Sequence, residues 1–183
     1  MQDNLRNISK FFAEILRHKP EKIGLKLDEH GWANVQELLD KAALKAGLAI
    51  NRELVERVVT ENDKKRFELS VDGLRIRAQQ GHSVTVNLQL PTVVPPVRLY
   101  HGTIEKYLPS IMKLGLIPKD RHHVHLSADI ETAQRVASRR KGQTTVLLAV
   151  DCKAMLAQGC VFHLSGNGVW LTDSVDPKFL SVI

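Results

Sequence analysis

Three prolines fall within the segment Leu90-Pro91-Thr92-Val93-Val94-Pro95-Pro96, and no other stretch limits the fold as much. Proline lacks a backbone N–H and fixes φ, so this run continues neither a helix nor a central strand. It stiffens a connector instead. The sequence therefore predicts two lobes of similar size, residues 1–90 and 97–183, joined by a linker over 91–96.

The first half has helical periodicity. Leu5, Ile8, Phe12 and Ile15, joined by Phe11 and Leu16, form one apolar stripe, and Pro20 stops that helix. Gly31-Trp32 marks a turn. Asn34 is placed to cap a helix from Val35 to Leu44, and Arg52 to Thr60 makes a third. Two alternating runs, 67–71 and 74–78, flank Asp72-Gly73, which predicts a hairpin. Three helices and a hairpin are the outline of a winged helix.

Strands dominate the second half, over 97–100, 124–127, 145–150, 161–164, 169–172 and 179–183. Two helices interrupt them, near Ile104–Leu114 and Ile130–Arg139. Short strands with few helices between them predict an α+β lobe.

Composition excludes several classes. Hydrophobic residues make up 43% and charged residues 25% of the 183, as in an ordinary globular protein. No window approaches the run of about 18 apolar residues that a membrane span needs. Met1-Gln2-Asp3-Asn4 carries an early acid and leads into an amphipathic segment, so no signal peptide is expected. Cys152 and Cys160, the only cysteines, lack metal or disulfide-framework spacing and predict a reduced, cytoplasmic protein with half-buried thiols. The net charge of +6 favours an anionic partner. Residues 1–91 hold 15 Lys/Arg against 13 Asp/Glu and residues 92–183 hold 11 against 7, so the basicity forms no tail.

Arginine, histidine, glycine and small hydroxyl residues concentrate in a few short segments. Arg17-His18 closes the first helix, where cations suit the negative dipole end. The pair is equally suited to clamp a phosphate, guanidinium as a planar fork and imidazole as a proton carrier. Lys64, Lys65 and Arg66 precede the hairpin, either as a solvated turn or as contacts to a nucleic-acid backbone. His101-Gly102-Thr103 ends a strand with a residue that lets backbone approach a ligand, or is a plain turn with Thr103 as cap. In Arg121-His122-His123-Val124-His125-Leu126-Ser127, alternation puts His123 and His125 on one strand face. Such a pair can ligate zinc, with Cys152 or Asp151 as remote partners, but nothing local supports that set. Neither G-x-G-x-x-G after a strand nor a P-loop is present, and no carboxylate cluster suggests a two-metal site. Phosphate would then be handled by arginine, histidine and backbone N–H groups.

Taken in order, these segments resemble the RNA 2′-phosphotransferases, the family that includes the enzymes finishing fungal tRNA splicing. The resemblance rests on Leu16-Arg17-His18, Asp28-Glu29-His30-Gly31-Trp32, Asn62-Asp63-Lys64-Lys65-Arg66-Phe67, Gln80-Gly81-His82-Ser83, His101-Gly102-Thr103 and His123-Val124-His125-Leu126-Ser127. It implies an α+β protein with an N-terminal winged-helix lobe, a C-terminal ADP-ribosyltransferase-like lobe and an active site in the cleft between them.

The same resemblance implies an NAD-dependent reaction without a metal, in which a 2′-phosphate on RNA is passed to NAD in two steps. Its Arg-His-Arg-Arg set maps onto Arg17, His18, Arg66 and Arg121. His101, Gly102, Thr103, His125, Ser127 and Arg139 are assigned to NAD, and Lys64 to RNA. Arg139 reads equally as the solvated basic helix end of Arg139-Arg140-Lys141. His82 and Ser83 are taken as structural, outside the catalytic set. Asn167 to Thr172 carries no glutamate, which departs from protein-modifying ADP-ribosyltransferases. A cytoplasmic monomer is expected. The rivals are an ADP-ribosyltransferase that caps terminal phosphates of RNA or DNA, and a non-catalytic winged-helix nucleic-acid-binding protein.

Overall fold

A computed structural model describes residues 2–62, 64–140 and 142–183, with side chains from residue 4 onward. Asp63 of the second basic segment and Lys141 beside Arg140 therefore lie outside the described residues. The protein is a mixed α+β structure with small antiparallel sheets, and its contacts divide it into two compact units, Met1–Gln89 and Leu90–Ile183.

The first unit is built on α1 (Gln2–Arg17), whose stripe is buried as the spacing predicts: Ile8, Phe12, Ile15 and Leu16 are all at most 4% exposed. Pro20 opens a 3-10 turn (Pro20–Ile23), and the short strand β1 (Ala33–Asn34) follows. Two asparagines then start two helices. Asn34 Oδ1 accepts from Glu37 N at 3.0 Å to open α2 (Val35–Ala46). Asn51 Oδ1 accepts from Leu54 N at 2.9 Å to open α3 (Arg52–Thr60). Strands β2 (Phe67–Leu69) and β3 (Arg75–Ala78) form the hairpin, with Gly73 at φ +69° in its turn. The hairpin strands are shorter than the alternation suggests. Ser70 and Asp72 bond to each other and to the backbone of Leu74 and Arg75, which widens the loop. The sheet order is β1-β3-β2, and Phe67 meets Phe12 edge-on at 5.9 Å in the core below it.

The second unit takes in the proline segment. Val93 N donates to Phe162 O at 2.9 Å and Thr92 bridges to His163, so this segment is partly tied into the unit. Strand β4 (Arg98–Ile104) is longer than expected and runs straight through His101-Gly102-Thr103. A 3-10 turn (Glu105–Tyr107) then leads into α4 (Leu108–Leu114), so the helix predicted from Ile104 starts later. Strand β5 (Val124–Leu126) and helix α5 (Ile130–Ala137) follow.

Strand β6 (Thr145–Asp151) ends at an unexpected helix, α6 (Cys152–Ala157), which makes a third after the linker where two were expected. Asp151 Oδ1 caps it by accepting from Ala154 N at 2.9 Å. Strands β7 (His163–Leu164), β8 (Trp170–Thr172) and β9 (Leu180–Val182) complete the unit. The two sheets, β4-β6-β9 and β5-β8-β7, are joined where Tyr100 and Ser127 exchange backbone hydrogen bonds of 2.9 and 2.8 Å. Leu99, Leu126, Leu148, Val150, Met155 and Phe162 are buried in one cluster between them.

The β4–α5 contact explains one glycine. A Cβ on Gly102 would fall onto the backbone carbonyl of Ala133 in α5 and stand 3.0 Å from Ala137 Cβ. The close approach that this glycine permits is therefore that of a packed helix. Gly102→Ala is expected to push α5 off β4 and cost about 1–3 kcal/mol, as overpacking does. A clear fall in melting temperature is the predicted result, and an unchanged one would contradict the tight contact.

Candidate active site

In the first unit the fold sets the predicted residues along α1. Arg17 is its last residue, half-buried, and His18 follows, exposed. The last carbonyls of a helix lack intrahelical partners. Here the Arg17 carbonyl accepts from Ser83 N at 2.9 Å and from Val84 N at 3.3 Å. His18 Nδ1 and Ser83 Oγ share a hydrogen bond of 3.0 Å.

Arg66 stands just before β2, its carbonyl accepting from Gln79 N at 2.9 Å. Its Nη1 donates at 3.4 Å to Ser9 Oγ and at 3.5 Å to Asn62 Oδ1, while Asn62 Nδ2 donates to the same serine at 2.7 Å. Ser9 is about two helical turns before Arg17. Lys64 is exposed in the turn ahead, with its N–H on Asn62 Oδ1 at 3.0 Å.

The second unit gathers its residues at the β4–β5 junction. His101 Nδ1 and the His125 carbonyl lie 3.0 Å apart, and Ser127 is bound to Tyr100 next to His101. Thr103, 7% exposed, shares a β4 face with His101 by alternation, while Gly102 turns its bare side to α5. Loss of water around the imidazole lowers the His101 pKa, and the nearby Arg140 charge lowers it further, against an opposing hydrogen bond to His125 O. The ring is thereby held neutral.

Two guanidinium groups approach each other here. Arg121, in the turn before β5, has its pKa lowered first by burial of the guanidinium and then by repulsion from Arg139. By surface area Arg121 as a whole is exposed, so only the charged end is shielded. Neither Arg121 nor Arg139 has an ion pair among the described residues. Close cations without a carboxylate between them form a place for an anion.

Strand β5 begins after His123, so only His125 belongs to the strand, while burial still alternates as expected, with Val124 and Leu126 buried and His123 and His125 half-buried. His123 turns to His163, ring centroids 5.8 Å apart, with its Nε2 3.9 Å from Asp173 Oδ1. Burial lowers its pKa most, Asp173 opposes, and His163 and His122 add to the lowering. Among the described residues no cluster of three or more His, Cys, Asp or Glu is arranged to hold a metal ion. Cys152 is fully buried, not half-buried as expected, and burial pushes its thiol up to about 11. It keeps its proton at neutral pH.

The structure brings in three groups outside the predicted site set, one of them, Ser83, expected to be structural. Ser83 meets His18, His163 meets His123, and Tyr107 lies under both Lys119 Nζ at 4.8 Å and the Arg140 guanidinium at 4.9 Å. The first stood in a quoted motif; the other two had no sequence signal.

The histidines carry a pH consequence. His101 and His123 have folded-state pKa values below the ordinary one, so on acidification the unfolded chain takes up the protons first. Their contribution to stability is complete above about pH 6.5 and is lost as pH falls through the folded values. Denaturation midpoints measured from about pH 7.5 down to about pH 5 should fall, and less steeply in His101→Asn. A level midpoint in the wild type would contradict the shift.

Known proteins resemble this chain over nearly its whole length. The family model described as RNA 2'-phosphotransferase, Tpt1 / KptA family, matches residues 3–174. A protein of Fusobacterium nucleatum named "Probable RNA 2'-phosphotransferase" is 53% identical over 178 residues, 97% of this chain and 98% of its own. Similarly named proteins of Burkholderia pseudomallei and Flavobacterium johnsoniae are 52% and 51% identical, over 94% and 98% of this chain and 92% and 98% of theirs. The match spans both units and every segment discussed above, and the chain belongs to the RNA 2'-phosphotransferase family.

Proposed function

We propose that the protein is an NAD-dependent RNA 2′-phosphotransferase that moves an internal RNA 2′-phosphate to NAD. The observation that carries this reading is the approach of Arg121 and Arg139, neither of which has an ion pair among the described residues. The helix–hairpin make-up of the first unit supports a winged-helix lobe for RNA, and the two joined antiparallel sheets of the second support an ADP-ribosyltransferase-like lobe for NAD.

The donor set at the β4–β5 junction suits a dinucleotide co-substrate. His101, Thr103, His125 and Ser127 offer neutral polar groups, and Arg139 offers charge for phosphates. Gly102 contributes through its main chain, since α5 fills its bare side. NAD supplies an anomeric carbon from which nicotinamide departs as a neutral ring.

In the first step the RNA 2′-phosphate takes nicotinamide's place on that carbon. In the second, the ribose 2″-hydroxyl attacks the phosphorus and releases its proton to solvent as the bond to the RNA 2′-oxygen breaks, giving 2′-hydroxyl RNA and ADP-ribose 1″,2″-cyclic phosphate. Arg17, Arg66 and Arg121 orient the phosphate, which is close to dianionic near neutral pH with a second pKa of about 6. They then stabilise the charge that builds on its oxygens. His18 donates the proton that the departing RNA 2′-oxygen needs. Lys64 contacts the RNA backbone.

Arg17→Ala, Arg66→Ala and Arg121→Ala are each expected to lower 2′-phosphate removal by at least about a hundredfold, the usual loss for one such donor. Incubation of a 2′-phosphorylated oligonucleotide with and without NAD, with both products identified, measures this. Wild-type rates in the three variants would refute the clamp. A stable ADP-ribosylated strand without cyclic phosphate would favour capping of terminal phosphates instead. EDTA is expected to leave the rate nearly unchanged, and strong inhibition would restore the metal reading.

A further inference from the structure

Ser83 is anchored without the help of its side chain. Its N–H and that of Val84 both donate to the Arg17 carbonyl, and His82 beside it is buried, 2% exposed. Those bonds hold the segment after the hairpin on the end of α1 whatever side chain residue 83 carries. The Ser83 hydroxyl is therefore not needed to dock the loop. Its hydrogen bond in the structure is to His18 Nδ1, at 3.0 Å, between two exposed residues. An exposed neutral hydrogen bond adds little to stability. Its main consequence is where the imidazole points and which nitrogen keeps a hydrogen.

We propose that Ser83 is a positioning residue for His18, its hydroxyl accepting from Nδ1–H so that the imidazole exchanges its catalytic proton through Nε2. The proposal rests on the role given to His18 above. When His18 acts as acid, the Nε2–H bond breaks, its electron pair stays on the ring, and an O–H bond forms on the leaving 2′-oxygen. The Nδ1–H bond is untouched, and the serine oxygen accepts from it before and after the transfer. Without the hydroxyl, Nδ1 loses this partner, which shifts the neutral ring towards Nε2–H and away from the orientation that the hydrogen bond sets. It then returns less often to the orientation the second step requires.

The test compares wild type, Ser83→Ala, Ser83→Thr, His18→Ala and the His18→Ala/Ser83→Ala double variant on a 2′-phosphorylated oligonucleotide with NAD. Ser83→Ala should slow the second step about ten- to a hundredfold, the usual effect of removing a partner that orients a functional histidine. It should leave the KM for RNA and the melting temperature nearly unchanged, and ADP-ribosylated RNA should accumulate. Ser83→Thr, which keeps the hydroxyl, should recover most of the rate. The double variant should be no slower than His18→Ala alone, because Ser83 acts through that ring. A Ser83→Ala enzyme at the wild-type rate, or a double variant slowed by the product of the two single losses, would overturn the proposal.

Nitrogen-15 NMR of the imidazoles gives a reading independent of turnover. The neutral His18 ring should carry its hydrogen on Nδ1 in the wild type and shift towards Nε2–H in Ser83→Ala. If the wild-type chain does not remove the 2′-phosphate, the assigned activity fails, while this spectrum still decides whether Ser83 controls His18.

Discussion

Like charges held close together in a fold repel unless something answers them, and the Arg121–Arg139 pair is where this constraint is felt. Several basic residues elsewhere are answered locally. Arg52 pairs with Glu56, Arg57 with Glu61 and Arg135 with Glu131, one helical turn apart, and Arg77 pairs with Glu68 across the hairpin. Arg121 and Arg139 are close enough to repel and have no such answer among the described residues. Repulsion between two such cations is relieved by an anion placed beside them.

Neutral contacts help to hold the predicted site segments in place. Arg66 is set against α1 by the Ser9 hydroxyl and the Asn62 amide, and the Arg17 carbonyl is tied to Ser83 and Val84. In the second unit the β4–β5 junction and the seating of α5 on Gly102 support the other set. Serine, asparagine, glycine and backbone N–H groups take part in positioning these segments. That is why small polar residues and glycine recur among the arginines and histidines of the quoted segments.

Much of the local structure was legible beforehand because it depends on neighbours in the chain. The α2 and α3 starts follow from Asn34 and Asn51, whose side chains reach only three residues ahead. The Asp72-Gly73 turn and the α1 stripe are equally local. Helix α6 was missed because its apolar residues continue those of β6, and only the Asp151 cap marks the change. Strand β4 was cut short at His101 because a glycine looks like an ending when the helix that needs it is unseen.

The amino-acid order by itself determined helices α1 to α3 with the Asn34 cap, the hairpin, the α+β class and, through six short segments, the family. Those depend on periodicity, on bonds over three or four residues, and on which residue types stand together. Only the tertiary structure decided that Arg139 stands near Arg121, that His123 turns to His163, and that the Ser83 hydroxyl reaches His18. These partners are far apart along the chain, and no propensity or spacing encodes a contact that exists only once separate elements have packed.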